Sequence, residues 1–318
     1  MKKEMKYFLV ALTLLFISCG QKATTYEAKE VLSKHLIERY GEEFEIGYMG
    51  RRSDGKEMWY EAEIYPSKYV GTIKERDKYY RESGTANVEK GIFGERLGFA
   101  GDTYGIVKIN ESAEEFYEKK LKELFGDNVL QVYDIKFNRI LKDYDFKNII
   151  KVWKEEGVRL TIRGGIYIFG RVENDEDREW YRKQIYEFIQ FMKETGTFEY
   201  VDLNFTISDE RIFSDKFFNN SKLQLDMKKY GNYIEPKGRN QILNQTNKSY
   251  KNTNRKIILD RINNLNKSNI DNEFYGIYWL YTKVYSPKYI ESQKLKNKIK
   301  KEYNNIFDIE FSVEGYKD

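Results

Sequence analysis

The chain has 318 residues, with 55 Lys and Arg against 51 Asp and Glu and a mean hydropathy of −0.75; it is nearly neutral and long enough for one large or two modest domains. A single Cys and a single His exclude an internal disulfide framework and leave too few ligands for a Cys/His zinc centre. The charge is unevenly spread, with 19 basic against 11 acidic residues from 219 to 318 and 33 against 39 from 20 to 218, an asymmetry able to guide association.

The first element is an address. Lys2, Lys3 and Lys6 precede the apolar run Tyr7 to Ile17, which has signal-peptide length and is too short to span a bilayer as a helix. The stretch Phe16-Ile17-Ser18-Cys19-Gly20 resembles the lipobox of bacterial lipoproteins, with Phe16 where that family usually has Leu. The resemblance implies cleavage between Ser18 and Cys19 and acylation of the Cys19 sulfur. It implies a chain held outside the cytoplasm in the cell envelope, at the outer membrane if the organism has one. Residues 1–18 are then the signal peptide and 19–25 the lipidated tether. No second run approaches membrane length, so Cys19 is the expected anchor, and two or three acyl chains suffice to hold it.

From there a unit repeats, in which an apolar-striped helix leads into an alternating strand. Its four copies are 35–50, 120–137, 188–205 and 298–315. Tyr181, Ile185, Phe188 and Met192 fall at helical spacing, as do Ile258, Ile262 and Leu265, and Phe146, Ile149, Ile150 and Trp153. Val201, Leu203, Phe205 and Ile207 alternate with polar residues, and so do Phe307, Ile309, Phe311 and Val313. Strands opening on Gly105-Ile106, Gly165-Ile166 and Gly276-Ile277 precede the last three copies, and the second and third of these read as central strands. Asn174 and Ser286-Pro287 are helix starts, while Gly157 and Gly196 are helix stops. The expected fold is α+β: a two-layer sandwich of mostly antiparallel or mixed sheet with helices on one face. Residues 26–209 form its main domain and 255–318 a smaller repeat unit. Polar, Asn-rich 210–254 reads as a linker or long loop. Residues 66–102 read as a long excursion, mobile in the free protein.

The chemistry-bearing residues are sparse. His35 sits beside Leu32 and Leu36 at a core boundary. The run Glu173 to Asp177 suits a helix N-terminus and lacks the spacing of a calcium loop. The Gly-rich 91–105 has no Gly-Lys-Ser/Thr ending and reads as a loop. Arg51-Arg52 reads as a solvated turn, and the many tyrosines read first as strand formers and second as a platform for sugars or peptides. Lys294, Lys296, Lys298, Lys300 and Lys301 crowd one predicted helix and form the candidate binding surface. No catalytic set, metal or cofactor is expected. The reading is a non-catalytic binding or interaction module whose partners are membrane lipid, through Cys19, and an envelope protein or acidic polymer; nucleic acid is not among them. An envelope hydrolase with a glycosidase-like carboxylate pair, or a structural envelope protein, is the alternative.

Overall fold

The computed structural model describes residues 22–92, 94–137, 143–230, 236–274 and 277–315. The signal peptide and the Ser18/Cys19 cleavage site lie outside the described residues. The chain divides between Gly105 and Ile106 into two compact units.

The first unit is one helix on a curved antiparallel sheet. Helix α1 (Thr25–Tyr40) begins at Thr24, whose hydroxyl accepts the Glu27 N–H while the Glu27 carboxylate accepts the Thr24 N–H, a reciprocal cap. It stops at Gly41, where φ is +67° and the N–H returns to the Ile37 carbonyl. Ala28, Leu32 and Leu36 recur at helical spacing and are fully buried. They lie on strands β1 (Phe44–Ile46), β2 (Gly50–Ser53), β3 (Met58–Pro66), β4 (Glu82–Gly91) and β5 (Gly94–Asp102). Both β1 and β2 pair with β3, β3 pairs with β4, and β4 pairs with β5. Tyr60, Ala86 and Ala100 stand in register across the sheet. Small residues let the helix sit close: a Cβ at Gly84 would lie 2.8 Å from Leu32 Cδ2.

The expected excursion over 66–102 is therefore mostly sheet. After a single turn of helix, α2 (Ile73–Arg76), its second half folds into the β4–β5 hairpin. Its glycines and charges conceal a strand pair that buries only Gly84, Ala86, Val88 and Ala100. Arg51 and Arg52 belong to strand β2 rather than a turn, and they pair with Glu95 (2.6 Å) and Glu61 (3.4 Å).

The second unit opens with α3 (Gly105–Phe125), where the Gly105-Ile106 pair predicts a strand. The apolar positions Ile109, Ala113, Tyr117, Leu121 and Leu124 recur every three or four residues and are buried, so helical periodicity prevails. Then follow β6 (Val129–Phe137), α4 (Phe146–Glu156), β7 (Leu160–Gly170), α5 (Asp175–Glu194) and β8 (Val201–Asp209). After a helical segment come β9 (Tyr278–Tyr285), α11 (Pro287–Ser292) and the two-residue β10 (Val313–Glu314). The sheet order is β10-β9-β8-β7-β6, with β7 and β8 parallel across the α5 connection and the other pairs antiparallel. The fold class is α+β, as expected, and β7 and β9 are interior strands.

One sheet face carries Ile162, Ile166, Leu203, Phe205, Ile207, Leu280 and Val284. Helices α3, α4 and α5 cover it: the Phe188 ring lies 6.0 Å from Phe205, and Tyr117 lies 5.5 Å from Phe188 and 5.8 Å from Phe146. The other face is mixed. At one end Phe169 packs against Phe213 and Phe274.

Phe213 belongs to a segment that corrects an expectation. Much of residues 210–254 is helix rather than linker, in α6 (Asp215–Phe218), α7 (Ser221–Tyr230) and α8 (Pro236–Asn252), and α9 (Arg255–Asn263) and α10 (Ile270–Glu273) follow. Nor is 255–318 a separate repeat unit, since β9 pairs with β8 along seven register positions. The chain after Ser292 is irregular: Lys294 and Tyr303 adopt left-handed φ angles of 54° and 50°. Residues 306–308 form a short 3-10 turn where alternation predicts a strand. Asn305 caps that turn reciprocally with Asp308 and bends the chain before it can pair.

Candidate functional site

The half of the mixed sheet face not roofed by Phe213 and Phe274 is polar and aromatic. Residues that alternate away from the helices meet there: Arg163 of β7, Asp202 and Asn204 of β8, and Tyr281, Lys283 and Tyr285 of β9. Asp202 is the hub. It accepts a hydrogen bond from Tyr289 Oη (2.9 Å) and lies 3.3 Å from Lys283 Nζ and 3.8 Å from Arg163 Nε. Arg163 reaches on to Asp134 of β6 at 3.3 Å. The Asp202 side chain is only 11% exposed, whereas Arg163 is 43% and Lys283 35% exposed. The carboxylate is thus buried support, and the two cations face outward.

Around this hub the tyrosines are ordered. Tyr285 and Tyr289 stack with ring centroids 6.0 Å apart and planes 14° apart, and Tyr278 and Tyr281 stack at 5.9 Å and 27°. Tyr281 Oη donates to Asn204 Oδ1 (3.1 Å). Lys283 and Lys298 place ammonium groups 5.2 and 5.4 Å from the Tyr285 ring, within cation–π range. Burial pushes the Tyr289 and Tyr281 phenols above their ordinary range, and at Tyr289 the bond to Asp202 adds to it. Burial pulls Lys283 down, but Asp202 and Tyr285 outweigh it and hold the ammonium above the usual lysine value. Tyr281 and Tyr289 therefore stay neutral and Lys283 charged at ordinary pH. Such a face can stack against ring-bearing ligands and attract anions.

A second cluster lies in the first unit. His35 Nε2 and Arg39 Nη1 each lie 2.8 Å from the buried Asp102 carboxylate, which also accepts from Tyr40 Oη at 2.6 Å and from the Tyr104 N–H at 2.9 Å. The cluster ties α1 to the end of β5. A carboxylate-oriented imidazole can act as a base, yet no hydroxyl or thiol nucleophile contacts His35 among the described residues. Asp102, the partner that positions His35, escapes the sequence reading because the glycines and charges of β5 conceal the strand that it ends.

The other sequence candidates are placed as follows. The run from Glu173 is a helix start, with the Asn174 side chain accepting the Asp177 N–H and the Asp177 carboxylate accepting the Glu173 N–H. The Gly-rich stretch 91–105 is mostly strand β5, entered from the end of β4. Lys294, Lys296, Lys298, Lys300 and Lys301 do not share a helix, because α11 ends at Ser292. The reciprocal Asn305–Asp308 cap downstream and left-handed Lys294 are incompatible with one continuous helix. Lys300 pairs with Glu291 (2.6 Å) and Lys301 with Glu310 (3.0 Å), whereas Lys294, Lys296 and Lys298 are exposed and make no ion pair among the described residues. Among the described residues no three His, Cys, Asp or Glu converge as metal ligands, and no helix is long and apolar enough to cross a membrane.

No family model matches the chain, and no curated protein matches it significantly. Among solved structures it is similar to a DUF5037 family protein from Ruminococcus gnavus, with 15% identity and a TM-score of 0.33 over 57% of this chain and 74% of that one.

Proposed function

We propose that the chain is a lipid-anchored binding protein of the cell envelope, tethered through Cys19, whose open sheet face takes an acidic, ring-bearing polymer such as an anionic glycan. The observation that carries this reading is the pair of tyrosine stacks set around Lys283, Arg163 and Asp202. Stacked rings offer flat apolar surface without ordering flexible side chains. The outward cations supply charge attraction, and the buried carboxylate holds them in place. Arg159 and Lys298 extend the positive rim, with Arg159 lying over the Tyr200 ring at 4.5 Å. Lys294 and Lys296, close by in sequence, are free to meet anionic headgroups and bias the orientation of the tethered protein.

The test uses the mature chain without lipid, titrated with a uronic-acid polysaccharide and with a neutral glucan. Binding to the acidic polymer is expected to weaken as salt rises. Tyr281→Ala and Lys283→Gln are each expected to weaken it about tenfold, roughly 1.4 kcal/mol, with the melting temperature nearly unchanged. Equal binding of both polymers, or indifference to both substitutions, overturns the reading. The tether is tested separately: Cys19→Ala should abolish lipid labelling and move the protein from membrane to soluble fraction.

A further inference from the structure

The second unit contains a cleft of about 730 Å³ walled by Trp153, Lys154, Lys193, Phe198, Lys288 and Glu302 among others. It sits where α4 and α5 end. Trp153 is the last residue of the buried stripe on α4, and Phe198 lies just beyond α5; they are 9% and 8% exposed and form an apolar floor. Gly157 and Gly196 close the two helices with φ of +69° and +74°, which brings the carbonyl ends of both helices to the rim.

Those carbonyl ends are partly negative; Lys154 covers one of them, and Lys193 turns instead to residues 303 and 304. Lys154 Nζ donates to the Thr195 carbonyl at 3.2 Å, and Lys193 Nζ donates to the Tyr303 carbonyl at 3.0 Å and to Asn304 Oδ1 at 3.1 Å. An ammonium has three donors, so Lys154 keeps two N–H groups and Lys193 keeps one. Neither lysine makes an ion pair among the described residues, whereas Lys288 at the rim is paired with Glu199 at 2.7 Å. Burial pulls Lys193 below the ordinary lysine value even though Glu302 and Asp308 push it upward. A cation partly withdrawn from water, whose direct hydrogen-bond acceptors are neutral oxygens, gains from an anion delivered to its remaining N–H.

We propose that this cleft binds a small organic acid, with its carboxylate on Lys154 and Lys193 and an apolar or planar body against Trp153 and Phe198. The volume is within the range of small-molecule sites. The floor supplies the dry apolar contact, and the two ammoniums fix the polar end. The site is distinct from the tyrosine face, and neither depends on the other.

The probe is 1-naphthylacetate, compared with its neutral amide, 1-naphthylacetamide, by calorimetric titration of the mature chain. The acid is expected to bind saturably at one site and at least about tenfold more tightly than the amide. The double variant K154Q/K193Q should lose about tenfold or more in affinity for the acid and leave the amide nearly unchanged. Tyr281→Ala should change neither. Absence of saturable binding at millimolar acid overturns the proposal, as does equal affinity for acid and amide. If the double variant fails to fold, the acid-to-amide ratio on the unaltered chain still decides the role of charge. Single-site contacts from the naphthyl protons to the Trp153 indole, observed by nuclear Overhauser effect, then decide the location.

Discussion

At the scale of single residues, buried Asp209 ends strand β8. It accepts the Arg211 N–H at 2.8 Å, Arg211 Nε and Nη2 at 2.9 and 2.7 Å, and Trp279 Nε1 at 2.9 Å. Arg211 is 2% exposed, so removal of its partner strands a buried guanidinium. Asp209→Ala is expected to cost about 3–5 kcal/mol, read from the urea midpoint; a loss under roughly 1 kcal/mol would mean that the charge is solvated after all. Tyr303 gives a pH signature. Burial pushes its phenol up to about 12, whereas in the unfolded chain it titrates near its reference value of about 10. Between those values the unfolded state has given up a proton that the folded state still holds, so stability falls as pH rises. The contribution is fully present below about pH 10 and lost by about pH 12, roughly 2–3 kcal/mol in all. Tyr303→Phe is expected to flatten that part of the decline, and identical slopes for both proteins from pH 10 to 11.5 would contradict it.

At the scale of elements, helices whose buried stripe is apolar throughout are legible in the sequence. In α5 the stripe Tyr181, Ile185, Phe188 and Met192 is the one that packs on the sheet, and the caps at Asn174 and Ser286 start their helices. Helix α8 is not legible, and its residues explain why. Among its described side chains the buried ones are Arg239, Leu243 and Thr246, so two of those three are polar. The Thr246 hydroxyl donates to the Leu243 carbonyl, and Arg239 Nη1 donates to the Tyr278 carbonyl. A helix whose buried positions are mostly polar has no apolar period to read. The converse holds from Phe307 to Val313, where the alternation is real but Phe307 is 66% exposed and lies beside the Arg182 guanidinium instead of entering a sheet. The candidate site is half visible: tyrosines on strands can be counted, but which of them share a face with Asp202 depends on the antiparallel register of β8 and β9. Helix ends allow a direct check. Gly41 has φ of +67°, and a Cβ added there would meet nothing within 4 Å, so Gly41→Ala meets backbone strain alone. It should cost about 1 kcal/mol, measured by thermal melting of the first unit's signal; no cost would mean that the turn relaxes freely.

At the scale of the whole molecule, each unit has its own core, and the division falls at Gly105 rather than near residue 209. A fragment of residues 106–318 retains the complete five-stranded sheet and the helices on it. It is expected to unfold cooperatively by calorimetry and denaturant and to keep the tyrosine face. A gradual, non-cooperative melt of that fragment would show that the second unit does not stand by itself.

The order of strands in that sheet has a consequence for how the protein is made. Synthesis runs from the N-terminus, and β6, β7 and β8 emerge long before β9, which must pair along the free edge of β8. Until then β8, almost entirely buried in the finished fold, has an open edge. The sheet therefore cannot close on the ribosome until nearly all of these residues have been made. A sheet completed so late keeps the second unit from its final packing until synthesis is almost over.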